Sequence, residues 1–164
     1  GSIINDAELT LASNKVIAAS NITNNGVFNG AAANLIGNIT NEGTLKFNVV
    51  SSTTATSAIS GTGDVQATAN TTFGGTNTYT GDTLIKGATL TIAGQNNIST
   101  DSDILFANAT NSSILEITAA GTLSNLLKGQ TATDNVNVQN DAALTLNTAI
   151  GEAADFHKYK EEIN

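Results

Sequence analysis

Residues 22–30 read ITNNGVFNG and residues 39–47 read ITNEGTLKF. Laid over one another they share the template apolar–Thr–x–x–Gly–x–apolar, with Ile22, Gly26 and Phe28 matching Ile39, Gly43 and Leu45. The same frame continues outward in both directions. IINDAELTL begins at Ile3, with Ala7 in the glycine place and Leu9 and Leu11 behind it. ISGTGDVQA begins at Ile59 with Gly63 and Val65, and LIKGATLTI at Leu84 with Ala88, Leu90 and Ile92. ITAAGTLSN begins at Ile117 with Gly121 and Leu123, and VQNDAALTL at Val138 with Ala142, Leu144 and Leu146. ISTDSDILF from Ile98 is a weaker eighth copy.

Each copy reads as a short strand, a tight turn and a second strand. Asn, Asp, Glu and Gly at the turn are expected to supply positive φ and local side-chain hydrogen bonds. After the turn, Leu45-Lys46-Phe47-Asn48-Val49 and Leu144-Thr145-Leu146-Asn147 alternate apolar with polar, which is the period of a half-buried strand. A helical period would scatter Leu45, Phe47 and Val49 over different faces. A unit of about twenty residues cannot bury its own apolar face, whereas units stacked on like neighbours can. The expected fold is therefore an all-β, right-handed parallel β-helix (solenoid) of about seven to eight coils, roughly 35 Å long at the inter-strand spacing. A β-sandwich is the alternative. Its hairpins favour two-residue turns between long alternating strands, and these units resemble one another too closely for that.

Composition agrees with stacked strands. The 164 residues include no Cys, Pro, Met or Trp, and all six basic residues are Lys. A net charge of −8 and a pI near 4.2 argue against nucleic acid, which requires a basic patch. They also argue against an anionic membrane surface. No apolar run is long enough to span a bilayer as a helix, and no signal peptide is visible. Gly1-Ser2 reads as a scar left by tag removal, so an excised fragment is expected. Residues 3–150 then form the β-helix. Residues 151–164, GEAADFHKYKEEIN, form a charged tail or a short capping helix, because Phe156, Tyr159 and Ile163 fall on one helical face. A ragged boundary or a piece of the next coil are the other readings of that segment.

The stretch from Phe73 to Gly94, FGGTNTYTGDTLIKGATLTIAG, resembles the autotransporter-associated β-strand repeat. Gly75, Asn77, Tyr79, Gly81, Thr83, Ile85 and Leu90 fit that repeat, with Ala88 where it prefers Gly. SGTGDVQ from Ser60 is like the strand that often precedes it. Abundant Asn and Ile, Lys without Arg and few aromatics are similar to rickettsial surface antigens of the same class. The resemblance implies a passenger domain of a type V secretion system at the bacterial cell surface, anchored through a C-terminal outer-membrane β-barrel absent from this chain. Such passengers act in adhesion to or invasion of host cells. The implied partner is a host cell-surface protein or glycan, bound non-covalently with no cofactor and no metal. The alternative is a purely structural stalk presenting a distal domain. Partner-binding residues are not specified by the sequence. The period-breaking loops Ser51–Ser57 and Asn108–Ser113 are the places where insertions in solenoids gather function.

No enzymatic constellation is expected. A β-helical lyase needs a strong base, usually Arg, and none is present. A glycosidase needs two converging carboxylates. Asp101 and Asp103 would share a strand face, and Asp64 and Asp82 each follow a glycine, but turn and edge roles explain all four. His157, the single histidine, excludes a His-based metal cluster. GTGD and TGD lack the full calcium-binding nonapeptide, and GNITNEG lacks the end of a phosphate loop. Thr89-Leu90-Thr91 has the form of an ice-binding ladder, yet its expected equivalents Glu8/Thr10, Thr44/Lys46 and Ala143/Thr145 carry charge.

Overall fold

The computed structural model of the chain describes residues 1–50, 53–107 and 112–147, together with the backbone of Phe156–Lys158. It is a parallel β-solenoid. One face carries β1 (Ser2–Asn5), β3 (Ile17–Asn24), β5 (Leu35–Asn41) and β7 (Ile59–Ser60). The second face carries β2 (Glu8–Thr10), β4 (Val27–Gly30), β6 (Thr44–Phe47), β8 (Asp64–Ala67), β10 (Thr83–Ile85), β12 (Ile104–Phe106) and β15 (Leu127–Gly129). The third carries β9 (Thr71–Phe73), β11 (Thr89–Ile92), β13 (Ile114–Ile117), β16 (Val136–Asn140) and β18 (Phe156–Lys158). A two-stranded sheet pairs β14 (Gly121–Leu123) with β17 (Leu144–Leu146). The second face contains 7 strands in unbroken order, one per coil, and every pairing between named strands is parallel.

The opening repeat is two successive coils. Ile3, Ile22, Ile39 and Ile59 pair in one column, and Leu9, Phe28, Leu45 and Val65 in another. The later copies stand in a different relation. Leu84 pairs with Gln66 and Leu105 rather than stacking in the Ile59 column. Ile117 faces Asn140, and Leu123 faces Leu146 rather than Leu144. The reason is that apolar–x–apolar pairs occur on all three faces, while coil length varies. A frame that tracks only apolar spacing slips from one face to the next.

The corner between the first and second faces explains the repeated glycine. A Cβ placed on Gly26 would lie 1.9 Å from the carbonyl oxygen of Ala7, and one on Gly43 would lie 2.0 Å from that of Gly26. The same test gives 2.1 Å for Gly63 against Gly43 and 2.4 Å for Gly81 against Gly63. Main chain rests on main chain with no space for a side chain. Positive φ is not the cause, contrary to expectation: the glycines in that region are Gly37, Gly61 and Gly87. Beside this corner runs a buried amide ladder. Asn5 Nδ2 donates to Asn24 Oδ1 at 2.7 Å, and Asn24 Nδ2 donates to Asn41 Oδ1 at 2.8 Å. Asn41 Nδ2 closes it on the carbonyl of Asp64 at 3.0 Å. Buried amides left unpaired would each cost about 1–3 kcal/mol, so the ladder holds only if the coils stay in register.

Inside, Phe28, Phe47 and Phe73 meet edge to face, with ring centroids 6.4 and 5.7 Å apart. Room for the ring of Phe28 comes from Gly30, where a Cβ would lie 2.7 Å from its Cζ. Ile85, Leu90, Ile92, Ile104, Phe106, Leu115 and Leu127 continue the core without solvent contact. At the far end the chain forms β18 against β16, where the spacing of Phe156, Tyr159 and Ile163 pointed to helix. The other residues of 151–164 lie outside the described residues.

Gly43→Ala is expected to destabilise the fold by ~3 kcal/mol or more, because two backbones must separate. That is a fall in melting temperature of roughly 6–12 °C. Gly121→Ala, which meets nothing within 4 Å, should stay within about 2 °C of the parent. Thermal circular dichroism of both variants checks the contrast.

Candidate functional site

Three of the four carboxylates weighed above are brought together. Asp64 lies beside Thr44 on the second face, and Asp82 and Asp103 directly precede the paired Thr83 and Ile104. They therefore stack on successive coils at one outer edge. The amide of Asp82 donates to Asp64 Oδ1 at 2.9 Å, and Lys128 Nζ meets Asp103 Oδ2 at 2.8 Å. Partial desolvation, with Asp103 and Asp64 adding repulsion, pushes the Asp82 carboxyl above its ordinary range. The Asp103 contact raises Lys128. Asp101 stands apart. It is exposed in the turn Ser99–Ser102, so the expected shared strand face with Asp103 does not form. Among the described residues no group of three or more His, Cys, Asp or Glu could hold a metal ion. His157 lies on β18, paired with Asn137.

The Thr89/Thr91 pair lies on the third face, not in the rows expected for it. Thr91 is flanked by Thr72 and Glu116, and its hydroxyl donates to Glu116 Oε2 at 2.6 Å. The loops singled out from their spacing lie partly outside the described residues, at 51–52 and 108–111. Among their described members Thr53, Thr54, Thr56 and Ser112 are exposed, while three others serve the coil stack. Ala55 is buried and bridges to Phe73, Ser57 Oγ donates to the Leu35 carbonyl, and buried Ser113 accepts from the Gly87 amide.

Most residues that fit the autotransporter-like repeat point into the solenoid, whereas Thr76, Thr78 and Thr80 between them are exposed. A Cβ on Gly75 would lie 2.2 Å from the Ser57 carbonyl oxygen. Asn77 Oδ1 accepts from the Ile59 amide at 2.9 Å, and its Nδ2 donates to the Asn97 carbonyl at 2.6 Å. Tyr79 is fully buried, and a chain of hydroxyls links Tyr79 Oη, Thr83 Oγ1 and Ser102 Oγ, each step 2.7 Å. Burial raises the Tyr79 phenol well above its ordinary value.

Among the described residues a groove of about 510 Å³ lies beside β14. Ile59 precedes Val65, and Gly121 precedes Leu127, by the same interval, so β14 lies on the same side of the solenoid as β7. Between them the regular strand gives way to an extended run through Thr76 and a 3-10 turn at Gln95–Asn97. Small residues, among them Gly74, Gly94, Ala119 and Gly121, form its walls, with Thr76 and Thr122 as hydroxyls. Gly121 and Leu123 spend their peptide groups on the β17 side, bonding Ala143 and Asn147. Strand alternation therefore turns those of Thr122 toward the groove. The Gln95 side chain stands in for a neighbouring strand: its Oε1 accepts from the Ser124 amide at 2.7 Å, and its Nε2 donates to Asn125 Oδ1 at 2.8 Å. No charged side chain lines the groove. Sequence reasoning missed it, because most of its walls are Gly, Ala, Thr and Asn, which are common everywhere in this chain.

No protein-family model, no curated protein and no solved structure matches the chain.

Asp82→Asn is expected to raise the melting temperature at pH 7. Ionised Asp82 is less tolerated in the folded chain than in the unfolded one, so its charge opposes folding at neutral pH. As pH falls through the raised folded value, the parent takes up the proton preferentially when folded and gains stability. The advantage of the variant should therefore shrink and vanish below the ordinary aspartate value of 3.8. Melting curves of both proteins from pH 7 downward measure it.

Proposed function

We propose that this chain is a segment of a surface-exposed bacterial passenger of the autotransporter kind, acting in adhesion to or invasion of host cells by non-covalent binding. The observation that supports this reading is an in-register solenoid whose outer surface opens at an uncharged groove. The partner class is a host cell-surface protein or glycan. The native chain would continue to an outer-membrane barrel, and this segment itself would not insert in the bilayer. Among the described residues no helix is long and apolar enough to cross a membrane.

A stalk that only presents a distal domain is the second reading. It is favoured by the inward direction of Gly75, Asn77, Tyr79, Gly81, Thr83, Ile85 and Leu90, which all serve stacking. The two readings part at the groove. Binding of the purified, folded chain to cultured mammalian cells is compared with that of Gly121→Arg, whose side chain enters open space. Saturable binding reduced tenfold or more by the substitution is the expected outcome. Absence of binding by the folded parent would favour the stalk, and binding unaffected by Gly121→Arg would remove the groove from the interaction.

A further inference from the structure

Asn25-Gly26 and Asn29-Gly30 are the two Asn-Gly pairs of the chain. That dipeptide carries its own reaction. The glycine nitrogen, giving up its proton, bonds to the Asn Cγ, and the Cγ–Nδ2 bond breaks so that the amide nitrogen leaves with that proton as ammonia. Water then opens the resulting succinimide ring at either carbonyl. One opening leaves aspartate. The other leaves isoaspartate, whose main chain runs through Cβ and Cγ and is one atom longer. Glycine favours the closure because no side chain obstructs its nitrogen.

At Asn25 the coil stack holds the groups that this closure must move. The residue is exposed in the two-residue turn between β3 and β4. Its Nδ2 donates to Asp6 Oδ1 at 2.6 Å. The amides of Asn25 and Gly26 both donate to the Asn5 carbonyl, at 2.8 and 3.1 Å. Ring closure has to break the Gly26 bond and turn the carboxamide off Asp6 and over the Gly26 nitrogen. Asn29 is held differently, buried within β4 with its Nδ2 donating to Glu8 Oε1 at 2.8 Å.

The longer product does not fit the turn. Asp6-Ala7, Asn25-Gly26 and Glu42-Gly43 are turns of equal length on successive coils. The Glu42 and Gly43 amides repeat the pattern on the Asn24 carbonyl, at 2.8 and 3.0 Å. Before the turn, Asn24 stands between Asn5 and Asn41, and after it Val27 stands between Glu8 and Thr44. An extra main-chain atom between them lets only one of the two strands keep its register. The geometry points to Asn25 as a deamidation site that the folded coil stack guards, and to isoaspartate at that position as a product that cannot re-enter the stack. A chain that folds promptly keeps the amide, and one that lingers unfolded loses it. The turn thus limits how long an unfolded chain stays able to fold, independently of any partner.

To test this, folded chain and chain unfolded in guanidinium chloride are incubated in the same mildly alkaline buffer. Mass spectrometry of the Val16–Lys46 peptide follows each Asn separately, and fragment spectra distinguish aspartate from isoaspartate. Loss of the Asn25 amide is expected to be at least ~10-fold slower in the folded chain, where reaction waits on local opening. The aged unfolded sample is then diluted into buffer, and its folded and unfolded fractions are separated by size exclusion. Among chains that keep Asn29, isoaspartate at position 25 should collect in the unfolded fraction. Asn25→Asp adds charge beside Asp6 without lengthening the main chain, and should fold and melt within about 4 °C of the parent. Equal rates in the two samples would overturn the proposal, as would isoaspartate at position 25 in a folded fraction with the parent's melting temperature. Failure of Asn25→Asp to fold would assign the loss to charge and overturn it as well.

Discussion

The fold depends on one contact: main chain resting on main chain at the corner where each coil turns from the first face to the second. A carbonyl of one coil occupies the place where the next coil would otherwise carry a side chain. Because that contact has no slack, it fixes both spacing and register over the first five coils. The other regularities follow from it. Asn24 can bridge Asn5 and Asn41 only if the three stand directly over one another. The rings of Phe28, Phe47 and Phe73 can meet edge to face only if successive coils keep that spacing. Neither the ladder nor the ring stack would specify register alone, since Asn and apolar residues recur at many places in this chain.

Where the glycine column ends, the architecture changes. The place after Gly81 is taken by Ser102, whose hydroxyl joins Thr83 and Tyr79 in the interior while its turn bends around Ser99. The amide bridges also change hands. Asn77, Asn97 and Asn125 now bond main-chain carbonyls across coils rather than one another. Later coils are longer, as the interval between the paired Ile104 and Leu127 shows beside that between Phe28 and Leu45. The groove beside β14 opens where the first-face strand gives way to the 3-10 turn of Gln95–Asn97. A regular early rod and a grooved later portion thus meet where the glycine column ends.

Much of the fold was legible in the sequence, and the reason lies in which residues repeat. Ile22, Gly26 and Phe28 recur in the next coil because each meets its counterpart directly, so the repeat could be read as stacking. The role of glycine was read less well. Turn glycines suggested left-handed backbone, whereas close approach by a neighbouring coil is a long-range constraint that no local pattern displays. Asn5, Asn24 and Asn41 were visible as the third residue of three copies. They escaped notice because a buried amide column looks like polar turn chemistry until burial is known. In the fifth coil, buried Asn77 and Thr83 take the places of Ile59 and Val65 and hide the frame. The groove was not legible at all, since the segments that wall it are distant in sequence.

The claim that coils stack in register through the glycine corner is tested most directly by nuclear Overhauser contacts along that column in the isotopically labelled chain. Stacking predicts contacts from Gly26 to Gly43, from Gly43 to Gly63 and from Gly63 to Gly81, with the parallel pattern between flanking strands. Antiparallel Hα–Hα contacts between β3 and β4, or between β5 and β6, would instead show sequence-adjacent hairpins and contradict the solenoid.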